Sequence, residues 1–176
     1  MVVFNAMLSV VMAFTFLLQD TQSYEWNKKS TLTADRQVEF PGLVLEPGTY
    51  IVKLKEANEK RSQVQILNQD ESQILGTVLA VPDHRMRPED QSEFMYHEVK
   101  GDGPAPVRSW FFSGDLVGLE FVYPVARARE IAKGSDDHVL ASNDNKGSAI
   151  VAVTPNGKEI VIDEGPAAQT ARRKPQ

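Results

Sequence analysis

The chain has no cysteine in its 176 residues. Disulfide staples, thiol catalysis, zinc–thiolate sites and iron–sulfur clusters are therefore excluded. The absence does not fix a compartment, because an exported chain large enough to build its own core can do without disulfides. Clustered positive charge is also scarce. Lys and Arg number 19 against 24 Asp and Glu, for a net charge of −5, and the one basic run, Arg172-Arg173-Lys174, closes the chain. Phosphate backbones need grouped Lys or Arg, so nucleic acid is not an expected partner. There is no phosphate loop or dinucleotide fingerprint; Gly101-Asp102-Gly103 is too short and runs into Pro104. Internal repeats and long low-complexity tracts are likewise missing.

What is present is ordinary soluble material. Hydrophobic residues make up 41% and charged residues 24%, enough for one sizeable core and one domain with tails. Val2 to Leu18 is almost continuously apolar, broken by Asn5, Ser9 and Thr15. Such a run at the start of a chain reads as a signal-peptide core or an uncleaved anchor. The small residues Thr21 and Ser23 place a cut before Tyr24. The expected location is thus exported: periplasmic, cell-surface or secreted, with membrane contact only through residues 2–18 if they stay attached. The expected layout is a signal or anchor over 1–23, a β-domain core over 24–134, a polar loop over 135–148, a C-terminal β-hairpin over 149–163 and a disordered tail over 164–176.

Apolar periodicity assigns the fold class. Tyr50, Val52 and Leu54 alternate with polar positions, as do Val64 and Ile66, which is the two-residue period of half-buried strands. Gln73 to Val81 is apolar on both faces and reads as a central strand covered twice. Trp110 to Pro124 carries Trp110, Phe111, Phe112, Phe121 and Tyr123 around Ser113-Gly114-Asp115, a turn signal. It predicts two core strands ended by a proline. Pro82 to Gln91 is a charged loop. Val125 to Lys133 changes period and predicts one short helix, closed by Gly134 as a left-handed cap. Pro155-Asn156-Gly157-Lys158 marks the last hairpin. The predicted fold is mainly β, an antiparallel sandwich or partly closed barrel of seven to ten strands, with one helix near residues 125–133.

Glu25-Trp26-Asn27-Lys28-Lys29, Pro47-Gly48-Thr49-Tyr50, Leu79-Ala80-Val81-Pro82-Asp83-His84-Arg85 and Ser113-Gly114-Asp115 followed by Glu120-Phe121-Val122-Tyr123-Pro124 resemble a set of exported bacterial β-domain proteins. The resemblance spans roughly Trp26 to Lys133. It implies a compact β fold and an export signal, and it carries no assigned activity and no catalytic residue. Members often have proline where this chain has Ser113.

The residues that could carry chemistry are few. His84, His97 and His138 each adjoin an acid, and in a cysteine-free chain histidine and carboxylate are the ligands for zinc or copper. A site would need the fold to bring His84 to His97, and no pair has a metal-ligand spacing, so no metal is assigned. Ser113 lies in Phe-Ser-Gly-Asp, a turn context, where a serine hydrolase has Gly-x-Ser-x-Gly. The acid-rich stretch after Ser135 is broken by Lys146 where a calcium loop needs oxygen. Glu120 alternates to the side opposite Leu119 and Phe121, which is expected to be wet; if buried, it needs Arg108 or Arg85. Trp110 beside Arg108 could form a recognition patch, although the core is the better place for it. The candidate binding residues are His84, Arg85, His97, Arg108, Trp110 and Glu120, with no catalytic residue and no cofactor. The expected role is an exported, non-enzymatic domain binding a partner protein or cell-envelope component. The alternative is metal or small-ligand handling by His84 and His97.

Overall fold

In the computed structural model, the residues described are 28–57, 60–144 and 149–163. The export segment 1–23, the tail 164–176 and part of the polar loop 135–148 lie outside them. The described chain is mainly β with one helix, and its two sheets do not close into a barrel.

The strands are β1 (Lys29–Ala34), β2 (Val38–Phe40), β3 (Leu43–Leu45), β4 (Gly48–Ala57), β5 (Ser62–Asn68), β6 (Ile74–His84), β7 (Glu93–Tyr96), β8 (Ala105–Phe111), β9 (Val117–Phe121) and β10 (Tyr123–Pro124). Helix α1 (Val125–Gly134) follows, then β11 (Val139–Ser142), β12 (Ile150–Val153) and β13 (Glu159–Asp163). The count exceeds seven to ten because several strands are only two to four residues long and carry too little alternation to be seen. The large sheet has the order β1-β4-β5-β6-β9-β8-β2-β3, with β7 also on β8. The small sheet runs β10-β11-β12-β13. Pairing is antiparallel except for two short contacts, β2 with β8 and β10 with β11.

Alternation builds these strands as expected. In β1, Ser30, Leu32 and Ala34 are buried and their neighbours exposed. β6 is central, between β5 and β9, and its middle is covered on both faces. Val78 and Ala80 are buried in the main core, and Leu79 and Val81 pack half-buried against Val122, Leu140, Ile150 and Ala152, while Ile74 and Thr77 nearer its start are exposed. It also extends past Val81, through Pro82, to His84. The β8–β9 pair needs Gly118, which lies opposite Phe111; a Cβ there would come within 2.5 Å of the Phe111 ring and 2.7 Å of the Trp110 carbonyl.

At Val122 the chain leaves the large sheet and enters the small one, its N–H donating to the Leu79 carbonyl at 3.0 Å. Tyr123 is the pivot. Its fully buried ring places the hydroxyl 2.9 Å from the carbonyls of both Glu39 and Val107, at the β2–β8 junction. Helix α1 buries Val125, Ala128, Ile131 and Ala132. Gly134 is not the left-handed cap; it stays in the helix, and Ser135 ends it in extended conformation, its N–H donating to Ala132. Arg127 ties α1 to β2 through Glu39, with Nε and Nη2 donating to the two carboxylate oxygens at 2.8 and 2.7 Å. One core runs through both sheets and the helix, joining Leu32, Trp110, Phe121, Tyr123, Ile131, Val139 and Val153.

Candidate functional site

The β6–β9–β8 register sets three polar side chains next to one another. Glu120 on β9 lies opposite Val81 on one side and Ser109 on the other, with Asp83 two residues beyond Val81. Residues opposite each other across a ladder share a face, so Asp83, Ser109 and Glu120 point the same way. Ser109 Oγ donates to Asp83 Oδ2 at 2.7 Å.

A bulge adds the cation. β7 pairs Met95 with Ser109 but Tyr96 with Val107, leaving Arg108 without an opposite number. Bulges re-aim side chains, and Arg108 is the only residue of β8 that is not buried. Its Nη1 donates to Asp137 Oδ2 in the turn after α1, while its Nε stands 3.7 Å from Glu120 Oε1. That second separation is an ion pair without a hydrogen bond.

His97 completes the group. It follows β7, its backbone N–H donates to Pro106 at 2.9 Å, and its ring meets Tyr123 edge-on at 6.2 Å. Only 4% of His97 and 7% of Glu120 is exposed. Among the described residues, the buried side-chain polar atoms with no hydrogen-bond partner are His97 Nδ1 and Nε2, Arg108 Nε and Glu120 Oε1. All belong to this one group. Burial, with the Asp83 charge added, pushes the Glu120 carboxyl up to about 7. Burial and the Arg108 charge push His97 down to about 4. At neutral pH the imidazole is therefore uncharged and Glu120 is near its midpoint.

Outside the group lies a cleft of about 560 Å³, lined by Met95 to Lys100, Arg108 and Gly134 to Asp137. Lys100 N–H donates to the Gly134 carbonyl at 3.2 Å, bracing the cleft's two walls. No family model, curated protein or solved structure matches this chain. Function must then be argued from the site.

Of the six residues selected from sequence, His97, Arg108 and Glu120 converge. Glu120 is not on a wet face: its side of β9 is covered, and the partner it requires is Arg108. Trp110 is no recognition residue. It is fully buried, its Nε1 donates to Ser30 Oγ at 3.0 Å, and it packs between Phe94 and Phe112. Arg85 is committed to the β8–β9 turn, donating to the carbonyls of Asp115 and Phe112 at 2.9 Å each, with its guanidinium over the Phe111 ring. His84 is exposed at the far end of β6, opposite Val117. His97 is anchored at Pro106, whereas His84 lies level with the Phe111 end of β8. Five residues of strand separate those levels, roughly 16 Å, so the two rings cannot share an ion. Among the described residues no three His, Asp or Glu side chains are grouped to hold a metal. Ser113 is a turn residue, its Oγ donating to the Asp90 carbonyl.

The reading from sequence missed Asp83, Ser109, Tyr96 and the pairing of Asp137 with Arg108. A hairpin register centred between Gly114 and Asp115 would have placed Ser109 beside Glu120. Nothing in the sequence signals the bulge at Arg108 or the return of Asp137.

Proposed function

We propose that this chain is an exported, non-enzymatic β domain that binds a component of the cell envelope in the cleft between β7 and the end of α1. The observation that carries the binding site is the concentration of unpartnered buried polar atoms behind that cleft. Buried donors and acceptors are normally paired, and each orphan costs about 1–3 kcal/mol. A fold that keeps several in one place, beside an opening, has groups available for something that enters it. Among the described residues the other buried side-chain polar atoms are satisfied, and Arg85, Arg127 and Trp110 are engaged in holding the fold.

Export rests on the apolar segment 2–18 and the resemblance to exported β-domain proteins. No helix among the described residues is long and apolar enough to cross a membrane. An acidic chain without a basic stripe does not suit nucleic acid.

The cleft is tested by adding fractionated envelope extract to the purified chain and following thermal unfolding. A ligand that binds only the native state raises Tm. The active fraction should raise Tm for the native sequence and leave Tyr96→Ala, at the cleft rim, unmoved; an equal rise in both puts the binding elsewhere. Export is tested separately by cell fractionation. Recovery in the cytoplasm with residues 1–23 attached would remove that half of the reading.

A further inference from the structure

We infer that the cleft takes a neutral, hydroxyl-rich ligand, a sugar unit of a glycan. This rests on reading the cleft as a ligand site, and it names the chemistry. The unpartnered groups balance. A neutral imidazole offers one donor and one acceptor, Arg108 Nε–H is a donor, and Glu120 Oε1 is an acceptor. A hydroxyl both donates and accepts through one oxygen, so neighbouring hydroxyls on a ring satisfy such a mixed set. An anion answers only the donors and a cation only the acceptors.

Charge points the same way. The cleft walls carry Glu98, Asp136 and Asp137 against Lys100 and Arg108, and the Arg108 charge is already opposed by Asp137 and Glu120. An anion would meet excess negative charge. A cation would meet a guanidinium and no grouped carboxylates. The planar Arg108–Asp137 pair, by contrast, suits two adjacent hydroxyls, one accepting from the guanidinium and one donating to the carboxylate. Tyr96 and Met95 at the mouth are 36% and 40% exposed. They supply an apolar surface of the kind on which the C–H face of a pyranose rests. A volume of about 560 Å³ lies within the usual range for small-molecule sites. Of the unpartnered groups, His97 and Arg108 line the cleft and Glu120 lies behind Arg108. The wall from His97 to Lys100 is outside the strands, its ends held by His97 N–H to Pro106 and Lys100 N–H to Gly134.

The test is an amide-resolved NMR titration of the whole chain with four probes: maltotriose, chitotriose, trialanine and inorganic phosphate. A trisaccharide should shift the amides of residues 96–100, 108 and 134–138, and Tyr96→Ala should weaken that binding about tenfold while the rest of the spectrum stays in place. Trialanine or phosphate moving these amides while both sugars leave them still overturns the sugar class and retains the cleft as a site. Sugar-induced shifts confined to another surface overturn both. Silence from all four overturns the sugar class, and the envelope-fraction experiment then decides the cleft alone.

Discussion

Glu120 and His97 are both buried within the field of the Arg108 guanidinium, and burial moves each towards its neutral form. Their effects on stability oppose each other. The Glu120 carboxyl, raised from 4.5 to about 7, is protonated in the folded chain at pH values where the unfolded chain has released its proton. Its contribution is full below pH 4.5 and is lost as pH rises through 7. His97, lowered from 6.5 to about 4, takes up a proton on unfolding. Its contribution is full above pH 6.5 and is lost as pH falls through 4. Between pH 4.5 and 6.5 the two slopes have opposite sign and nearly cancel, so this pair leaves stability flat there. Removing one exposes the other. Glu120→Gln should make stability climb with pH across that window, by about 2–3 kcal/mol relative to the native sequence, and His97→Gln should make it fall by a similar amount. Urea unfolding at pH 4.5, 5.5 and 6.5 measures both. Parallel curves for all three proteins would mean that neither group is held away from its ordinary state.

At the level of elements, one buried ion pair ties the helix to the large sheet. Arg127 reaches from the first turn of α1 to Glu39 on β2 and grips both carboxylate oxygens, while also contacting Glu130 one turn on. Glu39 is only 6% exposed. Removing the cation strands a buried carboxylate, which costs far more than the pair contributes when intact. Arg127→Met should therefore destabilise the chain by about 3 kcal/mol, and adding Glu39→Gln should recover at least half of that. Chemical denaturation of the single and double variants decides it; a double variant no better than Arg127→Met would show that the loss came from helix packing instead. The helix itself was legible in the sequence because Val125, Ala128, Ile131 and Ala132 repeat at helical spacing. Its fastening was not, because Glu39 and Arg127 are 88 residues apart and neither position reveals its partner. The same holds for the candidate site. Strand periodicity located β4, β5 and β9, and the turn at Gly114 located the β8–β9 hairpin. The bulge that frees Arg108 depends on how β7 seats against β8, and Asp137 arrives from beyond the helix. The burial of Glu120 follows from layers packed over it and not from its neighbours in the chain.

For the whole molecule, the question is whether the segment from β10 onward is a unit of its own. The sequence keeps the helix with the β core over 24–134 and sets only the last hairpin, 149–163, apart beyond the polar stretch 135–148. The packing joins what the sequence separates. Tyr123 begins the small sheet yet lodges its hydroxyl between β2 and β8 of the large one, and α1 places Ala128 and Ile131 in the same core as Trp110 and Phe121. Arg61 at the start of β5 reaches Asp163 at the end of β13 at 3.1 Å. A core shared in this way leaves neither sheet a surface it could expose without opening the other. Unfolding should then be a single cooperative transition. Its pairings are also distant in sequence: β1 with β4, Val38 with Ala105, Ala80 with Phe121. Loop closure must precede their reward, so refolding should fall in the millisecond-to-second range of β-rich domains. The check uses Trp26→Phe, which leaves Trp110 in the large sheet as the only tryptophan, with a second probe in the small sheet: a solvent-sensitive label on Ala149→Cys, available because the chain has no other cysteine. Coincident urea midpoints for tryptophan emission, label emission and far-ultraviolet circular dichroism are expected. A label transition that runs ahead of Trp110 by a clear interval would instead make β11–β13 a separately melting unit.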